Sequence, residues 1–336
     1  MDLTTTYMGL ELRNPLLASA SPLSNTLDGI KGLADAGVSA VVLYSLFEEQ
    51  VHREAERDAR LAGGGADIFT ESLSAFPGGP ARKTGPARYL DLVKRAVDAV
   101  EIPIIASLNG ATRGGWIECA RAVRDAGAAA IELNIYSLPG DPQTSGREVE
   151  ERHIDILHAV KAEVSVPVAV KLSPYFSSTG EIALRLDRAG ADALVLFNRF
   201  LQPDVDPELL TVTPAVDLSS PAEARPARTW ISLLRNQVHA DLAATTGVAE
   251  PADVVKYLLA GADVVMTASA LLRHGPGYAA VLLDGLTDWM RRKEYVSVSD
   301  LRGLLAVPKA TDRDAYERAE YVYALRAANA GDGHGN

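Results

Sequence analysis

The sequence predicts a single (β/α)8 barrel. Three observations carry this: four copies of an Ala-Gly helix stop followed by an apolar run, eight such runs in all, and amphipathic helical patterns between most of them. The copies are Ala36-Gly37 before Ala40–Ser45, Ala126-Gly127 before Ala130–Ile135, Ala189-Gly190 before Ala193–Asn198, and Ala260-Gly261 before Asp263–Ser269. Glycine suits the left-handed position just past a helix end, so each copy reads as a helix stop followed by a buried strand.

In chain order, Asn14–Ala20 is the first strand and 26–36 the first helix. The second strand, Ala40–Ser45, leads through a Gly-, Pro- and Arg-rich stretch, 60–88, to a helix over 86–99. The third, Pro103–Asn109, opens on proline, which is acceptable where no ladder donor is needed. A helix over 114–126, the fourth strand Ala130–Ile135 and a helix over 145–163 follow. The fifth strand, Pro167–Ser173, precedes a helix over 179–189 and the sixth strand Ala193–Asn198. A Pro-rich stretch, 200–227, reads as a second long loop, and such loops in a compact domain often serve as lids or binding segments. The seventh strand Ala240–Thr246, a helix over 251–260, the eighth strand Asp263–Ser269 and a helix over 276–292 complete the pattern. Nearly all-apolar strands alternating with helices form a parallel sheet covered on its outer face, and eight units in about 270 residues suit a closed barrel better than an open sheet. No linker divides the chain: 1–310 is expected to form the barrel and 311–336 a C-terminal extension, disordered from Asn329.

Composition narrows the function classes. Of 336 residues, 47% are hydrophobic and 23% charged, which excludes wholesale disorder, collagen and coiled coil. Thirty-three Lys and Arg against 44 Asp and Glu leave a net charge of −11, without the basic surface of a nucleic-acid binder. The one cysteine, Cys119, rules out a disulfide framework and a cysteine-rich zinc site and suits a reducing cytoplasm. Met1–Thr4 carries no leader-like pattern, and no apolar run approaches the ~20 residues that span a bilayer, so a soluble, cytoplasmic protein is expected.

Histidine spacing gives no metal motif. His153 and His158 point in different directions on their helix and are expected at the surface. Cys119 reads as a half-buried helix residue, 48–57 as a solvated helix face with i,i+4 charge pairs, and Arg82-Lys83 as solvated loop. No cysteine cluster exists for an iron–sulfur centre, which would have to sit on a partner protein.

Chemistry in a barrel belongs at the C-terminal ends of its strands. With a period of two, Ser107 and Asn109 share a face after Ile105, as do Glu132 and Asn134 on the fourth strand and Lys171 and Ser173 after Ala169 on the fifth. Asn198 is placed on the face of Leu194 and Leu196. Each alone reads as a strand-end cap; four strands converging on one rim read as a binding site. Lys171, ending an apolar strand, is costly to bury without an anion or a functional partner. It would hold an electron-rich ring, bind a carboxylate or form a Schiff base, against the plain alternative of snorkelling to solvent. Thr245-Thr246-Gly247, running into a helix, together with Ala268-Ser269 after the eighth strand, occupies the usual phosphate position of this fold.

These residues, in this order, resemble the class 1 dihydroorotate dehydrogenase family, nearest its dihydroorotate dehydrogenase-like branch, over roughly 3–305. The landmarks are Asn14-Pro15, Ser19-Ala20-Ser21-Pro22, Tyr44–Gln50, Glu132-Leu133-Asn134-Ile135-Tyr136, Val170-Lys171-Leu172-Ser173-Pro174-Tyr175-Phe176, Phe197-Asn198, Thr245–Val248, Leu259–Ala262 and Ser269-Ala270-Leu271. The resemblance implies an FMN-containing barrel that moves hydride between dihydroorotate, or a similar dihydropyrimidine, and flavin N5, in pyrimidine biosynthesis. It implies that Ser19 and Ala20 lie against the flavin, with Ser45 also at the cofactor, and that Asn109 and Asn134 contact its ring or the substrate. Lys171 would hold the N1/O2 edge, Asn198 the planar substrate, and Thr246, Gly247, Ala268 and Ser269 the phosphate. Ser137 falls at the position of the catalytic base, a cysteine in class 1 and a serine in class 2. A homodimer, with an electron-transfer partner protein, is expected.

The chain departs from the family in three places. Tyr44 stands where the family has a lysine beside flavin and substrate, so an anionic substrate such as orotate loses a charged partner. Ser137 runs into Leu138-Pro139-Gly140 without the family's Pro-Asn, and the tandem glycine of the phosphate loop is Thr246-Gly247. A reductase for another substrate, a Schiff-base lyase using Lys171 and a non-catalytic FMN-binding barrel are the alternatives.

Overall fold

The computed structural model describes residues 1–47, 85–110, 113–136, 139–199, 203–213, 217–312, 318–319, 321–323 and 325–326. The charged run 48–57, Arg82-Lys83, residues 60–84, Ser137 and the tail from Asn329 lie outside them.

The eight expected strands are present as a closed parallel barrel. Its staves are Leu16–Ala18, Val41–Val42 with its continuation Leu46–Phe47, Ile104–Asn109, Ala130–Asn134, Val168–Leu172, Ala193–Leu196, Asp241–Ala244 and Val264–Thr267. Every pairing is parallel, and Val41 opposite both Ala18 and Ile104 joins the first stave to the third. Helices Leu27–Asp35, Gly85–Ala99, Arg113–Asp125, Gly146–Lys161, Thr179–Arg188, Pro251–Ala260 and Tyr278–Arg292 match the seven expected helical stretches to within two residues. Their starts are chemically marked: Thr26 caps the first through Gly29, and Ser145 with Glu148 forms a reciprocal capping box on the fourth.

Period-two alternation sorts the side chains. Ile104, Ile131, Leu133, Val168, Val170, Leu172, Leu194 and Leu196 point outward into the main core under the helices. Leu17, Val42, Ile105, Ala130, Ala169, Ala193, Val195, Ala243, Val264 and Met266 fill the barrel interior. Small residues dominate the interior because its girth leaves little room. A hairpin absent from the sequence reading, Thr5–Tyr7 with Leu10–Leu12, plugs the N-terminal mouth with Tyr7, Met8 and Leu12.

The interior contents correct one assignment. Leu194 and Leu196 face outward, so Asn198 does not share their face; the strand ends at Leu196, and Asn198 reaches the rim from the following loop, its amide donating to the Leu172 carbonyl at 2.7 Å. The described residues of 200–227 are also more structured than a loop. They contain an exposed hairpin, Asp204–Asp206 with Thr211–Thr213, and from Ala224 a helix to Leu234. Pro226 disguises that helix, yet it sits in the first turn, where no intrahelical donor is lost. His153 is buried rather than at the surface: its Nδ1 lies 2.8 Å from the Val149 carbonyl and its ring edge-on to Phe176. His158 is exposed and Cys119 half-buried, as expected. Among the described residues no helix is long and apolar enough to cross a membrane, and no group of side chains has metal-binding geometry.

Below the plug, Arg235 and Arg302 clasp Asp263 at 2.7 and 3.0 Å, and Asp241 accepts from the Met8 amide at 2.7 Å. Burial, with the neighbouring Asp263 charge adding to it, pushes the Asp241 carboxyl from 3.8 up to about 6. A carboxyl raised on folding contributes stability that is complete below its unfolded value and lost as pH rises through the folded one. The Tm is therefore expected to fall between about pH 4 and 6 through this group, and Asp241→Asn to remove that part of the fall and raise the Tm above pH 6. A Tm–pH profile of the variant parallel to that of the native protein would exclude Asp241 as the cause.

Candidate active site

Along the interior three neighbouring staves pass from apolar to polar toward their C-terminal ends: Ile105 to Ser107, Ala130 through Glu132 to Asn134, Ala169 to Lys171. At that rim opens a cavity of about 570 Å3, within the ~300–1,000 Å3 of small-molecule sites. Its wall includes Ser19, Ala20, Tyr44, Ser45, Asn134, Lys171, Asn198, Thr246, Gly247, Ala268 and Ser269. The structure thus brings together all but two of the site residues expected from the sequence. Asn109 is buried at the end of its strand, beside Phe47, and does not line the cavity; Ser137 is outside the described residues.

One end of the cavity is a chain of neutral polar groups. Asn198 Nδ2 donates to Asn134 Oδ1 at 2.6 Å, Asn134 Nδ2 donates to Ser45 Oγ at 3.2 Å, and the Ser45 and Ser107 hydroxyls are hydrogen-bonded to each other at 2.8 Å. Tyr89 anchors Ser107, its hydroxyl donating to the Ser107 carbonyl and accepting from the Ser107 amide at 3.2 and 3.1 Å. Burial holds the Tyr89 phenol well above its ordinary acidity range, so it remains a donor. Its ring meets Tyr44 edge-on, centroids 5.1 Å apart, which orients Tyr44 along the cavity wall.

Beneath this chain Lys171 Nζ donates to Glu132 Oε1 at 3.3 Å, both side chains being buried. The anion that a buried lysine needs is therefore Glu132, which shares the inner face of its strand with Asn134. That parity was the signal in the sequence, and pairing across strands was the missing step.

The far end is built from loops. Thr246 (φ 79°) and Gly247 (φ 70°) adopt the left-handed conformation in succession, uncommon for a β-branched residue and a mark of a tightly held turn. Tyr257 holds the turn from below, its hydroxyl donating to the Thr246 carbonyl at 2.7 Å, while Thr246 Oγ1 donates to the Phe197 carbonyl at 3.1 Å. Ser219 completes it: its Oγ accepts from the Gly247 amide at 3.1 Å and donates to Ser269 Oγ at 2.9 Å. Ser219 was missed because nothing in its neighbourhood of the sequence marks a ligand. Phe197 and Arg199 also line the cavity, Arg199 paired with Glu223 at 2.7 Å.

The family model for dihydroorotate dehydrogenase matches residues 2–290. The catalytic subunit of dihydroorotate dehydrogenase B (NAD(+)) from Methanothermobacter thermautotrophicus is 28% identical, over 90% of this chain and 98% of that protein. The proteins of the same name from Thermoplasma acidophilum and Methanocella arvoryzae are 24% and 29% identical, each over 90% of this chain and 98% of their own length. The match runs through every stave and both ends of the cavity, so the chain belongs to the dihydroorotate dehydrogenase family, of FMN-dependent oxidoreductases acting on CH–CH bonds.

Proposed function

We propose that the chain moves hydride between a small planar dihydropyrimidine-type ring and FMN, dihydroorotate to orotate being the reaction the relatives are named for. The observation that supports this best is that Asn198, Asn134, Ser45 and Lys171 line one cavity, held from behind by Ser107 and Glu132. The cavity suits FMN in its donor set. A buried lysine with two further N–H donors lies at one end, and a hydroxyl-lined left-handed turn closes the other. Bound FMN supplies a hydride acceptor at N5 and an N1/O2 edge where negative charge collects on reduction.

On this reading Lys171 faces that edge and stabilises the charge, with no reorganisation at the moment of transfer. Ser19 and Ala20 lie against the ring system, Ser45 with them. Thr246, Gly247, Ala268 and Ser269 receive the phosphate. Asn134 and Asn198, each a donor and an acceptor, hold the edge of a planar amide ring, and Ser137 takes its C5 proton. The ion pair on Lys171 weighs against a Schiff-base lyase, whose lysine acts as a neutral amine.

Tyr44 favours a second reading within the same chemistry. A phenol supplies a donor but no positive charge, so the cavity wall at this point suits a neutral dihydropyrimidine better than a carboxylate-bearing one. Anaerobic mixing with each candidate decides between them, bleaching of the flavin band being the readout. Tyr44→Lys is expected to raise the rate with dihydroorotate by ~10-fold or more, the worth of one charge-assisted hydrogen bond. No gain would transfer the specificity to the loop after Ser137. The relatives are named as catalytic subunits, which supports a partner protein as electron acceptor, and we infer a homodimeric barrel in the cytoplasm.

A further inference from the structure

We infer that Glu132 sets the reduction potential of the bound flavin by offsetting the charge of Lys171, an inference that rests on the FMN reading. Glu132 is 1% exposed and does not line the cavity, whereas Lys171 does. Oε1 accepts from Lys171 Nζ at 3.3 Å, and Oε2 is buried with no hydrogen-bond partner among the described residues. Stability gives no reason for such an arrangement. A buried pair with a lone unsatisfied oxygen is often no better, and frequently worse, than apolar residues of the same volume, and the described groups near Glu132 give it no second cation: Ser107 stands opposite it on the neighbouring stave, and the buried Tyr7 hydroxyl feels its charge. A carboxylate one layer below the cavity does have an electrostatic consequence at the rim. Lys171 alone would place a full positive charge where reduction deposits negative charge, favouring reduced FMN and making it reluctant to pass electrons on. Glu132 offsets that field and holds Nζ from below. It touches neither cofactor nor substrate and is a positioning residue.

The test is the midpoint potential of bound FMN in Glu132→Gln, Lys171→Met and the double variant, read by dye equilibration, with FMN affinity measured in both redox states. Glu132→Gln is expected to bind reduced FMN at least ~10-fold more tightly relative to oxidised FMN, a rise of ~30 mV for a two-electron couple. The double variant should lie above Lys171→Met by a similar amount, which keeps the test decisive if Glu132→Gln alone does not fold. Glu132→Asp should stay near the native potential. Equal losses of affinity in both redox states, with the potential unmoved in both backgrounds, would overturn the inference and leave Glu132 a packing residue. Native protein that binds no FMN overturns it together with the functional reading; an unmoved potential in FMN-loaded variants overturns it alone.

Discussion

Replacing Lys171 with methionine is expected to weaken FMN binding by roughly 10- to 100-fold and to destabilise the fold by about 3–5 kcal/mol, through separate causes. The first is loss of a charge-assisted hydrogen bond to the cofactor, worth about 1.5–3 kcal/mol. The second is Glu132, 1% exposed, left as an unpaired buried charge. The double variant with Glu132→Gln separates them: it should recover most of the lost Tm, because neither charge then remains, and little of the lost affinity. Titration of FMN into apoprotein and thermal unfolding are the two readouts. A Lys171→Met protein that keeps native FMN affinity would remove Lys171 from the cofactor site, whatever its stability.

Gly247→Ala is expected to damage both the fold and the cofactor site by adding a single carbon. At φ 70° any side chain is strained, and a Cβ here would lie 2.7 Å from both the Ala224 amide nitrogen and the Ser220 carbonyl oxygen. Both are backbone atoms that cannot swing aside. Left-handed strain costs about 1–3 kcal/mol and overpacking about 1–3 more, so a total of roughly 2–5 kcal/mol is expected. Pushing residues 219–224 outward also breaks the Ser219 bridge to Ser269, and FMN affinity should fall with it although glycine contributes no side chain. Gly9→Ala is the control: φ is 73° but nothing lies within 4 Å, so strain alone should lower the Tm and FMN affinity should hold. Equal effects at both positions would show that the Thr246–Gly247 turn has no particular bearing on the cofactor.

The staves and most helices were legible because each carries a local signal: an Ala-Gly stop, an apolar run, a capping serine or threonine. The N-terminal hairpin was not, since its three-residue strands are too short for a period to show, and its worth lies in plugging a mouth that no local pattern reveals. The helix Ala224–Leu234 was hidden by Pro226, although Ala227, Ile231 and Leu234 already sit at i, i+4 and i+7.

The rim residues were legible by parity wherever the strand continued to them, as for Asn134 and Lys171. Parity failed at Asn198, because alternation carries no information past Leu196, where the strand ends. Asn109 failed differently. It has the right face and height but is covered, and burial depends on the neighbouring strand. The pairing of Lys171 with Glu132, and of Ser219 with Ser269 across 50 positions, is set by register and loop packing, which only the folded chain displays.

The most direct test of the central claim, that this cavity holds FMN, is the visible spectrum of freshly purified protein with the released chromophore identified by mass. Flavin absorption and stoichiometric FMN are expected in the native protein, and loss of both in Gly247→Ala. A colourless protein that stays colourless after incubation with FMN would contradict it.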